Sequence, residues 1–214
     1  MNKRKINHID TETLRKWIED ESMTDSLMKK ADKIRKENYG NKVYIRGLIE
    51  VSNICKNDCY YCGIRKSNKN ISRYRLGKDE ILSAARFGYK LGFRTFVMQG
   101  GEDPHFTKEF MVDVLKSLKE KYKDVAITLS LGERTYDDYK AFFDAGADRY
   151  LLREESSNPS HYNKLHPDSM KLETRQECLR NLKKIGYQVG GGFMVDSPFQ
   201  TTDDLIRDLR FLEK

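Results

Sequence analysis

Hydrophobic and polar positions along the chain follow two alternating periods, which predict strands and helices in turn. Apolar and β-branched runs predict strands at 43–51 (VYIRGLIEV), RTFVMQ, VAITLSL, DRYLLR and YQVGGGFMV. Helical spacing predicts helices at about 79–91, 107–121, 136–144 and 172–185, and a last helix in TTDDLIRDLRFLEK, which starts at a Thr or Asp cap. Gly92, Gly146 and Gly186 suit the positions that end helices. The pattern therefore predicts five strand–helix units.

Short connections between alternating strands and helices predict an α/β fold with a parallel sheet, either a doubly wound sheet or a β/α barrel. A complete TIM-type barrel of eight units needs about 250 residues. This chain of 214 residues ends in a charged helix after five units, so we expect a partial barrel or a fragment of a longer protein, and favour the fragment. The pattern predicts an N-terminal helical extension over residues 1–40 and the barrel core over residues 41–214.

Composition narrows the class of protein. Hydrophobic residues make up 38% and charged residues 34%, with 4 prolines, which is typical of an ordered soluble chain. The net charge of +7 is dispersed among acidic residues, so we expect a solvated surface and no nucleic-acid partner. No run of about 18 apolar residues is present, and the basic start leads into polar sequence. We therefore expect no membrane association and a cytoplasmic location.

Three of the four cysteines crowd into one loop after the first predicted strand, SNICKNDCYYCGIR. Cys55, Cys59 and Cys62 can present three thiolates to a single centre, which leaves one iron of an iron–sulfur cube open to an exogenous ligand. Structural zinc, with a fourth ligand such as His105 or Cys178, and a cluster for electron transfer remain alternatives. Cys178 lies in a helical pattern beside leucines, which predicts a buried thiol.

Polar and small residues recur where the predicted strands end, which is where barrels carry their active sites. They are Gly100, Gly101 and Glu102 after the second strand, Ser130 and Glu133 after the third, and Arg153 and Glu155 after the fourth. Carboxylates accept hydrogen bonds from ammonium groups and hydroxyls, and a guanidinium can hold a carboxylate at two points. Ordinary salt bridges on the surface or within the barrel remain the alternative.

The first strand offers one further candidate. Alternation places Tyr44, Arg46, Leu48 and Glu50 on one face. If that face points inward, we expect Arg46 to line the cavity above the cysteines and bind an anionic substrate; a buried ion pair with Glu50 is the alternative. The spacing of His105, His161 and His166 assigns them no role.

A CxxxCxxC motif after a first strand, with the aromatic Tyr61 before the last cysteine, resembles the radical S-adenosylmethionine (radical SAM) superfamily. Longer strings are similar to the HydE family of FeFe-hydrogenase maturases: IEVSNICKNDCYYCGIR, MQGGEDP, ITLSLGE, GADRYLLREESSNP, LHPD and MVDSPFQTTDDL. That likeness runs from about Tyr44 to the last residue. Biotin synthases and methylornithine synthases share the cysteine motif and the barrel, and remain alternatives.

This resemblance implies a 4Fe-4S cluster and S-adenosylmethionine, which is cleaved reductively to methionine and a 5'-deoxyadenosyl radical. It assigns the cluster to Cys55, Cys59 and Cys62. For S-adenosylmethionine it implies Tyr61, Gly100, Gly101, Glu102, Ser130, Arg153, Glu155, Arg175 and Met194.

The implied partners are a one-electron donor such as ferredoxin or flavodoxin, a small-molecule or iron-complex substrate, and other hydrogenase maturases. In the HydE family the implied substrate is a cysteine-bound iron complex with carbonyl and cyanide ligands. A shortened chain that binds the cluster and S-adenosylmethionine without turnover is an alternative of another class. Asp196 and Phe199 stand where the family usually has glycines, so we expect a different geometry after the fifth strand.

Overall fold

The computed structural model describes residues 9–213, which form a parallel sheet covered by helices. The strands are β1 (Gly47–Ser52), β2 (Thr95–Gly100), β3 (Ala126–Ser130), β4 (Arg149–Leu151) and β5 (Gln188–Gly190). The helices are α1 (Thr11–Glu19), α2 (Thr24–Tyr39), α3 (Lys78–Lys90), α4 (Lys108–Lys121), α5 (Tyr136–Asp144), α6 (Pro159–Leu165), α7 (Leu172–Ile185) and α8 (Thr202–Leu212). A 3-10 turn at Glu21–Met23 separates α1 from α2.

The sheet keeps the chain order, β1-β2-β3-β4-β5, with every pairing parallel. Met98 pairs with Ile49 on one side and Leu129 on the other, and Leu129 pairs with Tyr150. These four side chains are buried in the core that the helices cover. Sequential parallel strands joined through helices confirm the predicted partial β/α barrel.

The opposite face of β1 carries Leu48 and Glu50, which are exposed. Gln99 of β2 donates a hydrogen bond from Nε2 to Glu50 Oε1 at 3.2 Å. The alternation predicted for the first strand is therefore correct over these positions, because Ile49 and Val51 turn to the core.

The first and fifth strands are shorter than predicted. Residues 43–46 lie outside β1 and are exposed, because regular pairing begins only at Gly47, opposite Phe96 of β2. Without a neighbouring strand to pair with, an apolar run forms no β-ladder, even where its residues have a high strand propensity. At β5 the pairing ends with Gly190, and an isolated bridge between Phe193 and Glu155 continues it.

The predicted N-terminal helical region forms two helices, and its first eight residues lie outside the described part. Leu14 of α1 is buried, and Arg15 forms an ion pair with Asp203 at the start of α8. The first helix thus packs on the last one.

Helix α6 was not predicted, although the sequence carries its start signal. Asn158 caps the helix by accepting a hydrogen bond from Ser160 N at 3.1 Å, and Pro159 occupies the first helical position. Seven residues are too few for the period of 3.6 to stand out. Among residues 9–213, no helix is both long enough and apolar enough to cross a bilayer.

Candidate functional site

The loop after β1 carries the three cysteines at the carboxyl edge of the sheet. Cys62 N donates to Cys59 O at 3.0 Å, so the chain turns between these two residues. All three thiols are unbridged and partly exposed. Burial raises the pKa of Cys55, and it raises the pKa of Cys59 to about 11. Cys178 lies apart in α7, buried, with its thiol 3.7 Å from Arg134 O.

Close backbone contacts join the cysteine loop to the loop after β2. Gly101 N donates to Ser52 O at 3.1 Å, and Glu102 N donates to the Cys55 thiol sulfur at 3.4 Å. A Cβ atom on Gly101 would lie 2.2 Å from Ile54 O. Only glycine permits this approach, so the predicted Gly-Gly-Glu segment lies directly beside the first cysteine.

A buried ionic network extends from this segment across the sheet edge. Glu102 Oε1 accepts a hydrogen bond from Glu133 N at 3.0 Å and lies 3.6 Å from Arg175 Nη2. Arg175 Nε is 2.7 Å from Glu133 Oε1. Burial alone would lower the pKa of Arg175, because it disfavours the charged guanidinium. The carboxylates of Glu133 and Glu102 have the larger combined effect and raise that pKa. Arg175 is therefore a fixed guanidinium between two carboxylates.

The turn after β3 is shaped to receive Glu102. Gly132 has φ +76°, and a Cβ atom there would lie 1.9 Å from Glu102 Cγ. The hydroxyls of Tyr139 and Tyr150 donate to Gly132 O at 3.2 Å and 2.9 Å. Two buried tyrosines thus hold the turn on which the Glu102 side chain rests.

The loop after β4 brings Arg153 and Glu155 to the same edge. Glu155 Oε1 lies 3.5 Å from Arg153 Nε, and Glu155 adopts φ 66°, a left-handed conformation that is strained for glutamate. Burial raises the pKa of Glu155, while Arg153 and Arg175 oppose the rise. Met194 N donates to Glu155 O at 3.0 Å, so the loop after β5 lies alongside.

Ser130 and Tyr61 are two further residues that the resemblance assigns to the site. Ser130 ends β3 opposite Gln99, at the carboxyl edge. Tyr61 lies in the cysteine loop, and its hydroxyl is 3.1 Å from His166 Nε2.

Arg46 does not lie with the cysteines. It precedes β1, so it lies at the amino edge of the sheet, where it lines a cleft of about 760 Å³ with Thr128 and Arg149. A residue before a strand and a loop after it lie at opposite ends of that strand. We therefore leave Arg46 out of the proposed site.

Comparison with known proteins identifies the fold family. The family model of the Radical SAM superfamily matches residues 49–212. The chain belongs to the radical SAM superfamily. It is 46% identical over 197 residues to the FeFe-hydrogenase maturase subunit HydE of Thermotoga maritima, a match that covers 92% of this chain and 56% of that protein. It is 26% identical to the 3-methylornithine synthase of Methanosarcina acetivorans over 90% of this chain and 55% of that protein.

Solved radical SAM structures share the architecture. The crystal structure of methylornithine synthase (PylB) superposes with a TM-score of 0.81 at 26% identity, over 96% of this chain and 57% of that one. The FeFe-hydrogenase maturase HydG superposes with a TM-score of 0.77, over 94% of this chain and 47% of that one. This chain therefore spans about half the length of these relatives.

The superfamily implies a 4Fe-4S cluster and S-adenosylmethionine, and the chemistry of the donors fits both. Thiolates are the usual ligands of iron–sulfur clusters, and Cys55, Cys59 and Cys62 are unbridged thiols on one loop. An amino acid's ammonium and a ribose need acceptors. Glu155 Oε2 is buried and, within residues 9–213, accepts no hydrogen bond. Glu102 Oε2 is also buried, with Lys56 Nζ 3.3 Å away as an ion pair.

The sequence did not reveal every residue at this edge. Lys56 contacts Glu102, and Met170 Sδ lies 3.6 Å from the Cys59 sulfur. His166 meets Tyr61 although 105 positions separate the two along the chain. Periodicity describes neighbours within one helix or strand. It therefore gives no signal for contacts between residues that lie this far apart along the chain.

Proposed function

We propose that this chain binds a 4Fe-4S cluster through Cys55, Cys59 and Cys62 and cleaves S-adenosylmethionine reductively in FeFe-hydrogenase maturation. The observation that carries the proposal is the position of the three thiols. They share one edge of the sheet with a buried network of Glu102, Glu133 and Arg175, so a metal centre and a zwitterionic ligand can be held side by side.

When bound, the cluster supplies one electron to S-adenosylmethionine, which then breaks into methionine and a 5'-deoxyadenosyl radical. The protein's part is to bind and orient the ligand. Glu102 and Glu155 each have a buried oxygen that can accept from the ammonium or from ribose hydroxyls. Arg153 has a side chain that is 60% exposed, so its guanidinium can reach the methionyl carboxylate.

Three roles in this proposal are indirect. Arg175 keeps Glu102 and Glu133 in place as their shared counter-ion. Gly100 and Gly101 let the loop after β2 pack closely against the end of β1 and the cysteine loop, where their backbone carbonyls can accept from the ammonium. Ser130, at the end of β3, and Met194, after β5, lie at the same edge and complete the wall around the nucleoside.

The assignment to hydrogenase maturation is supported by the 46% identity to HydE, compared with 26% to methylornithine synthase. By that likeness, the proposed substrate is a cysteine-bound iron complex with carbonyl and cyanide ligands, supplied by another maturase. The proposed electron donor is a ferredoxin or flavodoxin.

The test is anaerobic reconstitution with iron and sulfide, followed by reduction and addition of S-adenosylmethionine. We expect 5'-deoxyadenosine and methionine in equal amounts, measured by liquid chromatography and mass spectrometry. Protein that takes up only zinc would contradict cluster binding. Protein that takes up the cluster and yields neither product would be a binding protein without turnover.

The structural match to methylornithine synthase favours a second candidate, in which the radical serves the synthesis of methylornithine. Reactions supplied with a mixture of amino acids separate the two candidates. Methylornithine in the product spectrum would support the second, and its absence alongside turnover of an iron complex would support the first.

A further inference from the structure

Residues 165–170, which begin at the last residue of α6, contact the cysteine loop at three points. Tyr60 N donates to Leu165 O at 3.0 Å, and the Tyr61 hydroxyl lies 3.1 Å from His166 Nε2. The sulfurs of Met170 and Cys59 are 3.6 Å apart. Residues 165–170 therefore support the cysteine loop from one side and supply no thiol; we call this segment the brace.

Hydrogen bonds define the state of His166, the central residue of this brace. Its Nδ1 lies 2.9 Å from Tyr162 O, a carbonyl that can only accept, so Nδ1 carries the proton. Burial lowers the pKa of His166 to about 4, so the ring is neutral at pH 7. Its Nε2 then has a free lone pair, and the Tyr61 hydroxyl must be the donor.

Aromatic packing fixes the same orientation independently. The His166 ring stacks on Tyr162 with centroids 3.9 Å apart and an interplanar angle of 19°. Tyr61 meets the His166 ring edge-on, at 5.4 Å and 88°. Tyr162 is fully buried with Met170 and Leu172, so the stack rests on a rigid base. Tyr61 itself is 40% exposed, and its ring forms part of the surface beside Cys62.

We propose that His166 is a positioning residue that fixes the Tyr61 ring beside the cluster loop, in the orientation that S-adenosylmethionine meets when it binds. This inference rests on the proposed function. Without this hydrogen bond, the Tyr61 hydroxyl keeps only its hydrogen-bonding contact with the Cys59 thiol, which the cluster would engage. The ring is then less constrained about its two side-chain torsions, and the ligand has to order it. Ordering one such side chain lowers affinity by about 3- to 10-fold.

A double-mutant cycle on affinity for S-adenosylmethionine tests this role. Reconstituted wild type, Tyr61→Phe, His166→Ala and the double variant are compared by anaerobic equilibrium dialysis. If both act through one hydrogen bond, each single variant weakens binding by about 3- to 10-fold, and the double variant is no weaker than the weaker single one. Effects that multiply in the double variant, or single variants that bind as wild type does, overturn the proposal.

Two further variants separate the effect of the hydrogen bond from that of ring packing and provide a control. His166→Gln places an amide oxygen near the position of Nε2, so it restores affinity if the acceptor matters and leaves it low if only ring packing does. His105→Ala is the control, because His105 is exposed and, over the described residues 9–213, its ring contacts are with Phe106 and Phe110. Wild type that binds no S-adenosylmethionine overturns both proposals, whereas wild-type binding with unchanged variants overturns this one alone.

A spectroscopic readout needs no cofactor. In apo-protein labelled with ¹⁵N-histidine, we expect the nitrogen shifts of His166 to report a proton on Nδ1. Tyr61→Phe then moves the Nε2 resonance and leaves the Nδ1 resonance in place. A proton on Nε2 would contradict the direction of the hydrogen bond and the proposed role.

Discussion

Gly132 is the residue that lets the loops after β2 and β3 meet. Its φ of +76° is left-handed, and a Cβ atom would collide with Glu102, whose carboxylate accepts from Glu133 N. The left-handed backbone alone costs a residue with a Cβ atom roughly 1–2 kcal/mol. Both penalties act on the turn that supports Glu102.

We therefore predict that Gly132→Ala destabilises the apo-protein by at least about 1 kcal/mol and weakens S-adenosylmethionine binding. Urea unfolding and equilibrium dialysis measure the two effects. Gly63→Ala is the matched control, since a Cβ atom there meets nothing within 4 Å. Equal destabilisation by the two substitutions would contradict this account of the turn.

Phe199 shows the opposite case, a side chain where the backbone favours glycine. It adopts φ 67°, and nearby Asp196 adopts φ 59°, in the segment where the resemblance led us to expect glycines. The Phe199 ring is 67% exposed and lies 5.2 Å from Lys164 Nζ, so it buries little. The departure from the family pattern is thus visible as backbone strain.

Replacing Phe199 by glycine removes that backbone strain, so we predict that the substitution increases stability. Phe199→Gly relieves roughly 1–2 kcal/mol of left-handed strain and costs about 0.5–1 kcal/mol of chain entropy, so we expect a net gain of about 0.5 kcal/mol. Phe87→Gly, at an exposed position within α3, loses stability because glycine is a poor helix former. Thermal unfolding of both variants measures the contrast, and a loss for Phe199→Gly would contradict the prediction.

At the scale of elements, α8 holds the loop after β4 in place. Asp208 accepts a hydrogen bond from Ser157 N, and Asp204 accepts one from Asn158 Nδ2. Behind this loop, Glu154 is buried, and Gly192 N donates to its Oε2 at 3.1 Å. Its Oε1 has no hydrogen-bond partner within residues 9–213.

The burial of Glu154 makes stability depend on pH. Burial raises its pKa from 4.5, and Asp208 adds to the rise, so the folded state binds the proton more tightly than the unfolded state. Stability therefore falls as pH rises from about 4.5 through the folded pKa, and levels off above it. Glutamine keeps an acceptor for Gly192 N and carries no charge.

We accordingly predict that Glu154→Gln is more stable than wild type at pH 8 and that its advantage shrinks toward pH 5. Urea unfolding of apo-protein at both pH values measures this. Glu177→Gln, at an exposed position of α7, serves as the control and should show no such trend. An advantage for Glu154→Gln that grows as pH falls would refute the assignment.

At the scale of the whole molecule, much of the architecture follows from periodicity and from parallel-strand geometry. Units of strand and helix in sequence order predict a sheet whose carboxyl edge gathers the loops. Glu102 lies there against Cys55, and Arg153 and Glu155 form an ion pair in the loop after β4. The hydrophobic pattern alone predicted a β1 that starts too early, because residues 43–46 have no paired residues in β2. The contact between Tyr61 and His166 depends on how α6 packs, which no local pattern encodes.

The central claim is that three thiols on one loop hold a cluster with an open iron. The most direct measurement is the electron paramagnetic resonance spectrum of the reconstituted, reduced protein before and after S-adenosylmethionine. We expect a 4Fe-4S signal that shifts on addition, is lost in Cys55→Ala, Cys59→Ala and Cys62→Ala, and persists in Cys178→Ala. A signal that survives loss of any loop cysteine, or that ignores S-adenosylmethionine in the wild type, would contradict the account.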